Sequence, residues 1–261
     1  MATQQTTEAQ GYWDVPDGWE WRSIDNVAEI PPDNSKATEE NLVSHEGTIP
    51  FIMSGDLKNT KDIKISRWTT EQALARLNIK PLEKDRILLA RARAETVGRI
   101  GIFKGKAVHN RGVHAIVPRQ DIENPIELDY LFYCFLAGAI NSRIVEEVIV
   151  RGKSSIQKKH TKQVMIPVPS PAEQLWIVER IETLLDDVER TRALLQNTYQ
   201  DIELFTRSPA DQYTAVAANQ DIQDQIVRMR EQATRSEQLL NAVEQEILSE
   251  ALRGNLFRER K

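Results

Sequence analysis

Apolar residues follow two different periods in the two parts of this chain. Up to about residue 169 they occur in short runs bounded by turn residues, which predicts strands at 49–57, 86–92 and 113–117 and a helix at 128–140. From Ile177 onward they step alternately by four and by three residues, which is the period of a coiled-coil seam. The pattern therefore predicts an α+β head with a mainly antiparallel sheet, followed by a long helical coiled-coil spacer.

Turn and cap residues predict two more elements in the head. The runs 100–103 and 106–109 flank Lys104-Gly105, and this arrangement predicts a β-hairpin. The segment 69–72, Thr-Thr-Glu-Gln, has the pattern of a capping box and predicts a short helix that continues through Leu77.

The junction between head and spacer is specified by local chemistry. Alternating prolines at 167, 169 and 171 hold the chain extended. Ser170 is then the predicted N-cap of a helix, Pro171 its first residue, and Glu173 the residue that closes a capping box. The long helix is therefore expected to begin at Pro171.

The spacer is predicted to contain two helices separated by Ser208-Pro209, each of ~30 residues or ~45 Å at ~1.5 Å per residue. The apolar seam positions are Ile177, Ile181, Leu184, Val188, Leu195 and Ile202 in the first helix and Ile226, Met229, Leu240, Val243 and Ile247 in the second. A seam of this size needs a partner helix, either within the same chain or from a second chain. The predicted domains are a disordered leader (1–11), a head (12–169), the spacer (170–256, with a break near 206–220) and a tail (257–261).

The charge of the chain is distributed unevenly. The net charge is −5, but residues 1–170 contain 23 basic and 22 acidic residues, whereas 171–261 contain 11 and 17. Within the head, residues 58–111 contain 14 basic and 5 acidic residues, and 143–162 contain 6 and 2. Two basic segments in an acidic chain indicate a surface suited to nucleic-acid phosphates, with an ordinary solvated surface as the plain alternative.

The sequence offers little for catalysis. It contains no phosphate-binding loop, and its histidines lack metal-ligand spacing, so we predict neither a catalytic residue nor a metal site. Asp33, Asp62 and Lys64 match a loose Mg²⁺-nuclease pattern, but such residues recur by chance in a charged chain. Cys134 lies in an apolar run and is expected to be a buried, inert thiol. Since we find neither a signal peptide nor a membrane span, we expect a cytoplasmic protein.

Several segments together resemble a known family. They are 16–21, 49–57, 98–101, 151–156, 166–178 and 248–256. The most specific is Ile166-Pro167-Val168-Pro169 followed by Ala172-Glu173-Gln174 at the start of a heptad helix. Over roughly residues 12–256 the chain resembles the specificity subunit of type I restriction-modification systems.

This resemblance implies a function and a set of partners. The head resembles a target-recognition domain that binds double-stranded DNA, and the helices resemble the spacer that fixes the distance between two such domains. Type I methyltransferase subunits and restriction (translocase and nuclease) subunits would dock on this scaffold. The chain itself would be non-catalytic, and S-adenosylmethionine, ATP and Mg²⁺ would belong to the partner subunits.

The sequence departs from the family pattern in having one head where the usual member has two. A homodimer that binds a symmetric, interrupted site is therefore expected, because a twofold dimer repeats the same contacts on a palindrome. The stretch between 205 and 221 also interrupts the heptads and makes the spacer longer than usual.

DNA recognition needs Arg or Lys for phosphates and guanine edges, and Asn or Gln for adenine edges. The basic segments supply candidates of these types. They are Lys58, Lys61, Lys64, Arg67, Arg91, Arg93, Arg99, Lys104, Lys106, Asn110, Arg111, Arg151, Lys153, Gln157, Lys158, Lys159 and Lys162.

Two other functions stay open on the sequence alone. The first is a coiled-coil scaffold whose head binds protein, in which case the basic residues would be scattered over the head rather than gathered on one face. The second is a nuclease, in which case Asp33, Asp62 and Lys64 would converge.

Overall fold

The computed structural model of the chain describes residues 12–32, 36–206 and 220–258. The leader at 1–11, Asp33 and the Ser208-Pro209 break lie outside the described residues. The described residues form two compact units, one extending to Val178 and including the residues from Leu252, and the other comprising Glu179–Ala251. The domain bounds expected from the sequence stay predictions.

The first unit is built mainly from short strands and helices, and two long helices follow. The strands are β1 (Glu20–Ser23), β2 (Ala28–Glu29), β3 (Ile49–Ile52), β4 (Trp68–Thr69), β5 (Arg86–Ala90), β6 (Ile100–Phe103), β7 (Val108–His109), β8 (Val113–Pro118) and β9 (Met165–Val168). The helices are α1 (Ile24–Val27), α2 (Glu39–Leu42), α3 (Glu71–Leu77), α4 (Leu128–Leu136), α5 (Gly138–Ile149), α6 (Lys158–Lys162), α7 (Pro171–Thr206), α8 (Gln220–Leu252) and α9 (Asn255–Arg258). The chain is thus α+β with a long helical part, as its sequence predicts.

The core of the head is a four-stranded antiparallel sheet in the order β2-β8-β5-β6. All five residues of β5 are buried, so this strand appears in the sequence as a continuous apolar run after Arg86 rather than as an alternating one. Helix α4 packs against β5 and β6, and its residues 130–135 are buried. This sheet fixes the positions of the loops at its two ends.

The expected hairpin at 100–109 is wrong. Strand β6 pairs with β5, whereas β7 pairs in parallel with β3 in a separate three-stranded sheet. The chain between β6 and β7 turns away from β6 where Ala107 forms reciprocal backbone hydrogen bonds of 3.0 Å with Leu82. The buried Arg86 guanidinium also donates a 2.8 Å hydrogen bond to the carbonyl of Gly105, and its burial lowers the Arg86 pKa to about 10 despite the opposing charge of Asp85.

The expected single helix at 128–140 is also wrong, since it is interrupted. Helix α4 ends at Leu136, Ala137 is extended with ψ 125°, and α5 begins at Gly138. The expected short helix that continues through Leu77 is confirmed, but the capping box at 69–72 is wrong, because the N-cap is Thr70 and the third helical residue is Ala73. The Thr70 hydroxyl accepts a 3.1 Å hydrogen bond from the Ala73 amide.

The junction between head and spacer is confirmed in detail. Residues 165–168 form β9, which pairs antiparallel with β1. The Glu173 carboxylate accepts a 3.0 Å hydrogen bond from the Ser170 amide, and the Ser170 hydroxyl accepts a 3.4 Å hydrogen bond from the Glu173 amide. These two reciprocal bonds are a capping box, and α7 begins at Pro171.

The second unit is an antiparallel pair formed by α7 and α8 of the same chain. The Arg192 guanidinium on α7 forms ion pairs with Glu237 and Glu244 on α8, while the Tyr199 hydroxyl donates to the carbonyl of Arg230 at 3.3 Å. A residue later in α7 thus contacts residues earlier in α8, as expected for antiparallel helices. The structure therefore selects the partner within the chain, which the sequence left open.

The seam residues differ in burial within this chain. Ile177, Ile181 and Val188 are buried, Leu184, Leu195, Ile226, Leu240 and Ile247 are half-buried, and Met229 and Val243 are exposed. The side chain of Ile202 lies outside the described part. None of the helices in the described ranges combines the length and apolarity needed for a membrane span.

Candidate nucleic-acid interface

Two basic loops meet at one end of the four-stranded sheet. In its antiparallel ladder Ala90 lies opposite Val113, and Leu89 lies opposite Ile100. The loop 91–99, which joins β5 to β6, and the turn 110–112, which precedes β8, must therefore lie at the same end. Strand pairing places them together although β5 and β8 are separated by more than twenty residues of sequence.

Two more segments are attached to this end by backbone hydrogen bonds. The Ile156 amide donates to the Arg91 carbonyl at 2.7 Å, and Arg91 Nη2 donates to Ser155 Oγ at 3.2 Å, so segment 151–157 lies along the loop. Segment 58–60 is attached to Ile100, because the Asn59 amide donates to the Ile100 carbonyl at 2.9 Å and Asn59 Oδ1 accepts from the Ile100 amide at 3.0 Å.

These four segments, 58–60, 91–99, 110–112 and 151–157, form what we call the basic rim. It contains seven basic residues, and Glu95 is its acidic one. The basic residues are Lys58, Arg91, Arg93, Arg99, Arg111, Arg151 and Lys153. Asn110 and Gln157 also belong to the rim, so the structure brings together nine of the predicted DNA-binding residues.

The opposite end of the sheet has a different charge. Segments 83–85, 104–106 and 119–123 together contain four basic and four acidic residues. A cleft at this end is lined by five carboxylates and two cationic side chains. The excess of positive charge is therefore specific to the rim end of the sheet.

The backbone of the rim presents arginines at the tips of turns. Arg93 has φ +69°, and its carbonyl accepts hydrogen bonds from the Thr96 and Val97 amides at 3.0 and 2.8 Å. Arg111 occupies the second position of a turn closed by a 3.2 Å hydrogen bond from the Val113 amide to the Asn110 carbonyl. Both side chains are exposed and can reach a ligand in front of the sheet end.

Two of the remaining rim residues have contacts that modify their predicted roles. Asn110 Oδ1 accepts a 3.0 Å hydrogen bond from the Gly112 amide, so this carboxamide holds its own turn. Arg151 lies 3.4 Å from the Glu146 carboxylate, but both side chains are about half exposed, so water and salt screen the pair.

The other eight candidates lie outside the rim. Lys61 pairs with Asp129 at 2.8 Å, Arg67 with Asp56 at 2.9 Å, and Lys162 with Asp25 at 2.8 Å. The hydrogen bond that Arg67 donates to the Glu39 carboxylate is the largest of the causes that raise the Arg67 pKa, against the opposing effect of burial. These three cations are already matched by carboxylates of the head.

The rest of this group has mixed surroundings. Lys104 and Lys106 lie in the connection at the opposite end of the sheet, where Lys106 pairs with Glu71. Lys64 and Lys159 are exposed, and Lys158 donates to the Pro31 carbonyl.

Residues that the sequence interpretation missed hold the rim together. Asn59 has φ +60°, a conformation that asparagine adopts more readily than most residues, so an Asn shortly after the predicted strand at 49–57 is a usable signal for a turn. Ser155 and Asn141 carry no such signal, because their partners Arg91 and Gly98 are far away in sequence.

The described residues give little support to a nuclease or metal-dependent function. Asp33 of the nuclease pattern lies outside them, and within the described ranges no three His, Cys, Asp or Glu side chains are arranged to hold a metal ion. Cys134 is buried as expected, and burial raises its pKa above its ordinary value. His114 is buried in β8, with Nδ1 3.3 Å from Thr161 Oγ1.

In a comparison with protein families, residues 16–203 match the type I restriction modification DNA specificity domain. Among curated proteins, the chain is similar to the type I restriction enzyme MjaIX specificity subunit of Methanocaldococcus jannaschii, with 26% identity over 200 residues. That alignment covers 73% of this chain and 44% of the relative. The chain thus spans less than half the length of that relative.

Solved structures are similar to this chain at lower identity, and three of them are as follows. A chain from a study of assembly and conformational transition of the type I R-M system has 20% identity and a TM-score of 0.47, over 94% of this chain and 48% of its own. The HsdS subunit from Thermoanaerobacter tengcongensis has 21% identity and a TM-score of 0.45, over 96% and 50%. The S subunit of the type I system of M. genitalium has 15% identity and a TM-score of 0.43, over 79% and 52%.

Proposed function

Since the chain belongs to the family of type I restriction modification DNA specificity domains, we propose that it recognises a double-stranded DNA sequence through the basic rim. In this role the head selects the site, and partner subunits supply the chemistry. The DNA would lie across the end of the sheet where β5 ends and where β6 and β8 begin.

One observation carries this proposal, namely that seven basic residues, with Glu95 as the acidic one among them, are gathered at one end of the sheet. DNA presents one phosphate charge per ~1.7 Å of helix axis, so binding favours a surface with many cations close together. Arginines on turn tips can also reach base edges in the major groove and form two hydrogen bonds with guanine. The alternative of a protein-binding scaffold expects scattered cations and is not favoured by this arrangement.

The test compares two triple variants with the same change in charge. Arg93, Arg111 and Arg151 are changed to Gln in the first, and Lys80, Lys84 and Lys104, which lie before β5 or after β6, are changed to Gln in the control. Binding of a labelled duplex is measured at several salt concentrations. If each rim arginine contacts one phosphate, the slope of log K against log salt falls by about 2.7 in the rim variant, because each contact contributes ~0.9.

In the control variant the slope of log K against log salt should stay within ~0.9 of the wild-type slope, which is the contribution of one phosphate contact. If instead both variants lose affinity equally, only the total charge matters and the rim is not the binding site. Unchanged binding in the rim variant would place the DNA elsewhere.

The same proposal includes partner subunits and excludes catalysis by this chain alone. We expect type I methyltransferase and restriction subunits to carry S-adenosylmethionine, ATP and Mg²⁺ and to act in the cytoplasm. The purified chain should neither methylate nor cut DNA when these are added, and methylation should appear when the methyltransferase subunit is supplied. DNA cleavage by the isolated chain that is lost in Asp62→Ala would favour a nuclease instead.

A bipartite site requires two heads, and we propose that a second copy of this chain supplies the other. The α7–α8 pair leaves apolar side chains on α8 uncovered within the chain: Met229, Leu239 and Val243 are 44%, 60% and 46% exposed. Met229 and Val243 are fourteen residues apart, or two heptads, and therefore lie on one stripe of the helix. Two such stripes would bury each other in a four-helix contact.

This dimer is tested by its mass in solution. Val243→Glu should give a monomer with unchanged helicity, whereas Val227→Glu, at an equally exposed apolar position on another side of α8, should stay a dimer. A dimer in both variants would exclude this stripe as the interface. A monomeric wild-type chain that binds a single half-site at full affinity would exclude the dimer itself.

A further inference from the structure

The break between α4 and α5 leaves a backbone carbonyl in need of a hydrogen-bond donor. Because Ala137 is extended, α4 stops at Leu136, and the Phe135 carbonyl is at the end of a helix whose normal hydrogen-bond ladder has stopped. Asn141, one turn into α5, donates from Nδ2 to this carbonyl at 3.0 Å. Its carboxamide therefore supplies the hydrogen bond that the Phe135 carbonyl lacks at the break between α4 and α5.

The same amide group also reaches the basic rim. Asn141 Nδ2 donates a second hydrogen bond, of 2.8 Å, to the carbonyl of Gly98 in the loop 91–99. Both hydrogens of this one amide group are thus used, one on the helix and one on the loop. A side chain with two donors on a single planar nitrogen suits this position.

The backbone of the loop lies directly against α5 at this point. Gly98 has φ +82°, and a Cβ added there would lie 2.7 Å from Asn141 Oδ1 and would also clash with Val145 Cγ1. Glycine is needed here for its conformation and because the helix leaves no space for a side chain. The loop backbone therefore packs directly on the side chains of Asn141 and Val145, with no side chain of the loop in between.

Gly98 is also the point where the loop rejoins the sheet. Its amide donates to the Ala90 carbonyl at 2.9 Å, and the Ala90 amide donates to the Arg99 carbonyl at 2.8 Å. The Asn141 hydrogen bond consequently holds the base of the loop that presents Arg91 and Arg93. The far end of α5 leads into Arg151, whose amide donates to the Glu146 carbonyl at 3.1 Å, so one helix supports two segments of the rim.

We propose that Asn141 is a positioning residue for DNA recognition, which sets the place of the 91–99 loop and hence of its arginines. It lies half-buried behind the loop and acts through Gly98 rather than by touching DNA. This inference rests on the proposed function of the basic rim. Asn141→Asp is the sharpest variant, because a carboxylate of the same shape would face two carbonyl oxygens that need donors.

The experiment is a double-mutant cycle on duplex affinity. Asn141→Asp should weaken binding roughly 2- to 100-fold in the wild-type background, the range expected for coupled neighbouring groups, and should have little effect once Arg93 and Arg99 are both Ala. In an Arg111→Ala background, on a different segment of the rim, it should keep its full effect. A merely structural loss of folded protein would reduce affinity by the same factor in every background.

Two further variants complete the design. Asn141→Ser, which loses reach but adds no charge, replaces the Asp variant if that one does not fold, and Ser142→Ala on the exposed side of α5 is the matched control that should bind as wild type. If Asn141 variants weaken binding equally in the Arg93/Arg99 and Arg111 backgrounds, or do not weaken it at all, the positioning role is refuted and the rim keeps its proposed function. If the Arg93/Arg99 double variant itself binds DNA normally, both proposals fail together.

Discussion

Arg93 offers a substitution in which stability and DNA affinity are expected to change in opposite directions. Its φ of +69° places a residue with a Cβ in the left-handed region, which costs ~1–2 kcal/mol for a non-glycine residue. Arg93→Gly removes this cost, while the larger conformational freedom of glycine in the unfolded chain offsets ~0.5–1 kcal/mol of the gain. We therefore expect a net stabilisation of about 0.5–1 kcal/mol, or an increase in Tm of ~1–4 °C for a chain of this size.

The DNA affinity of the same variant should fall. If Arg93 contacts one phosphate, the salt slope decreases by ~0.9, so that between ~50 and ~200 mM salt the wild type loses about threefold more affinity than the variant. Arg93→Ala is the matched control: it loses the same contact but keeps a Cβ at positive φ, so its affinity should fall equally without the gain in Tm.

Two measurements check this reasoning, differential scanning calorimetry for Tm and fluorescence anisotropy of a labelled duplex for affinity. A lower Tm for Arg93→Gly than for Arg93→Ala would show that the loop does not hold the left-handed conformation. Unchanged affinity in both variants would show that the tip of the 91–99 loop does not contact DNA.

Three other substitutions test the scaffold. Gly254→Ala should lower the free energy of unfolding in urea by at least ~2 kcal/mol, because Gly254 has φ +74° and an added Cβ would lie 3.0 Å or less from Pro16 ring atoms. A decrease of less than ~0.5 kcal/mol would contradict this contact. Ser170→Ala should cost ~0.5–2 kcal/mol in the same assay, since it removes the capping box, and Thr183→Ala, in the exposed middle of α7, is its control. Arg192→Ala should cost ~1.5–3 kcal/mol and reduce helicity at 222 nm at intermediate urea, because two glutamates lose their charged donor; equal unfolding midpoints would show that this ion pair does not hold α7 to α8.

The parts of the fold that the sequence predicted depend on interactions within a few residues. A capping box needs only Ser170 and Glu173, three positions apart, and the start of α7 follows from them. The run after Arg86 is apolar throughout, and it forms a buried strand. The heptad spacing from Ile177 likewise predicts a helix with an apolar stripe, since the period of the pattern is the period of the helix.

The parts that the sequence predicted wrongly depend on partners far along the chain. Strand β7 follows β6 closely, but it pairs with β3, because Ala107 is held by Leu82 and the connection is bent by the buried Arg86. The break between α4 and α5 has no proline to mark it, and its glycine, Gly138, is the first residue of α5. The break is completed by Asn141, which also binds Gly98 43 positions away.

The candidate site divides in the same way. The two basic segments of the head, with residue types able to contact phosphates and bases, can be read directly from the chain. Which of these residues lie together follows from strand pairing: the ladder that places Ala90 opposite Val113 gathers Arg93 and Arg111, and it leaves Lys104 at the other end. Charge is a property of each residue, whereas a binding surface depends on which strand ends are adjacent, and strand register over long distances is set by burial of the whole sheet.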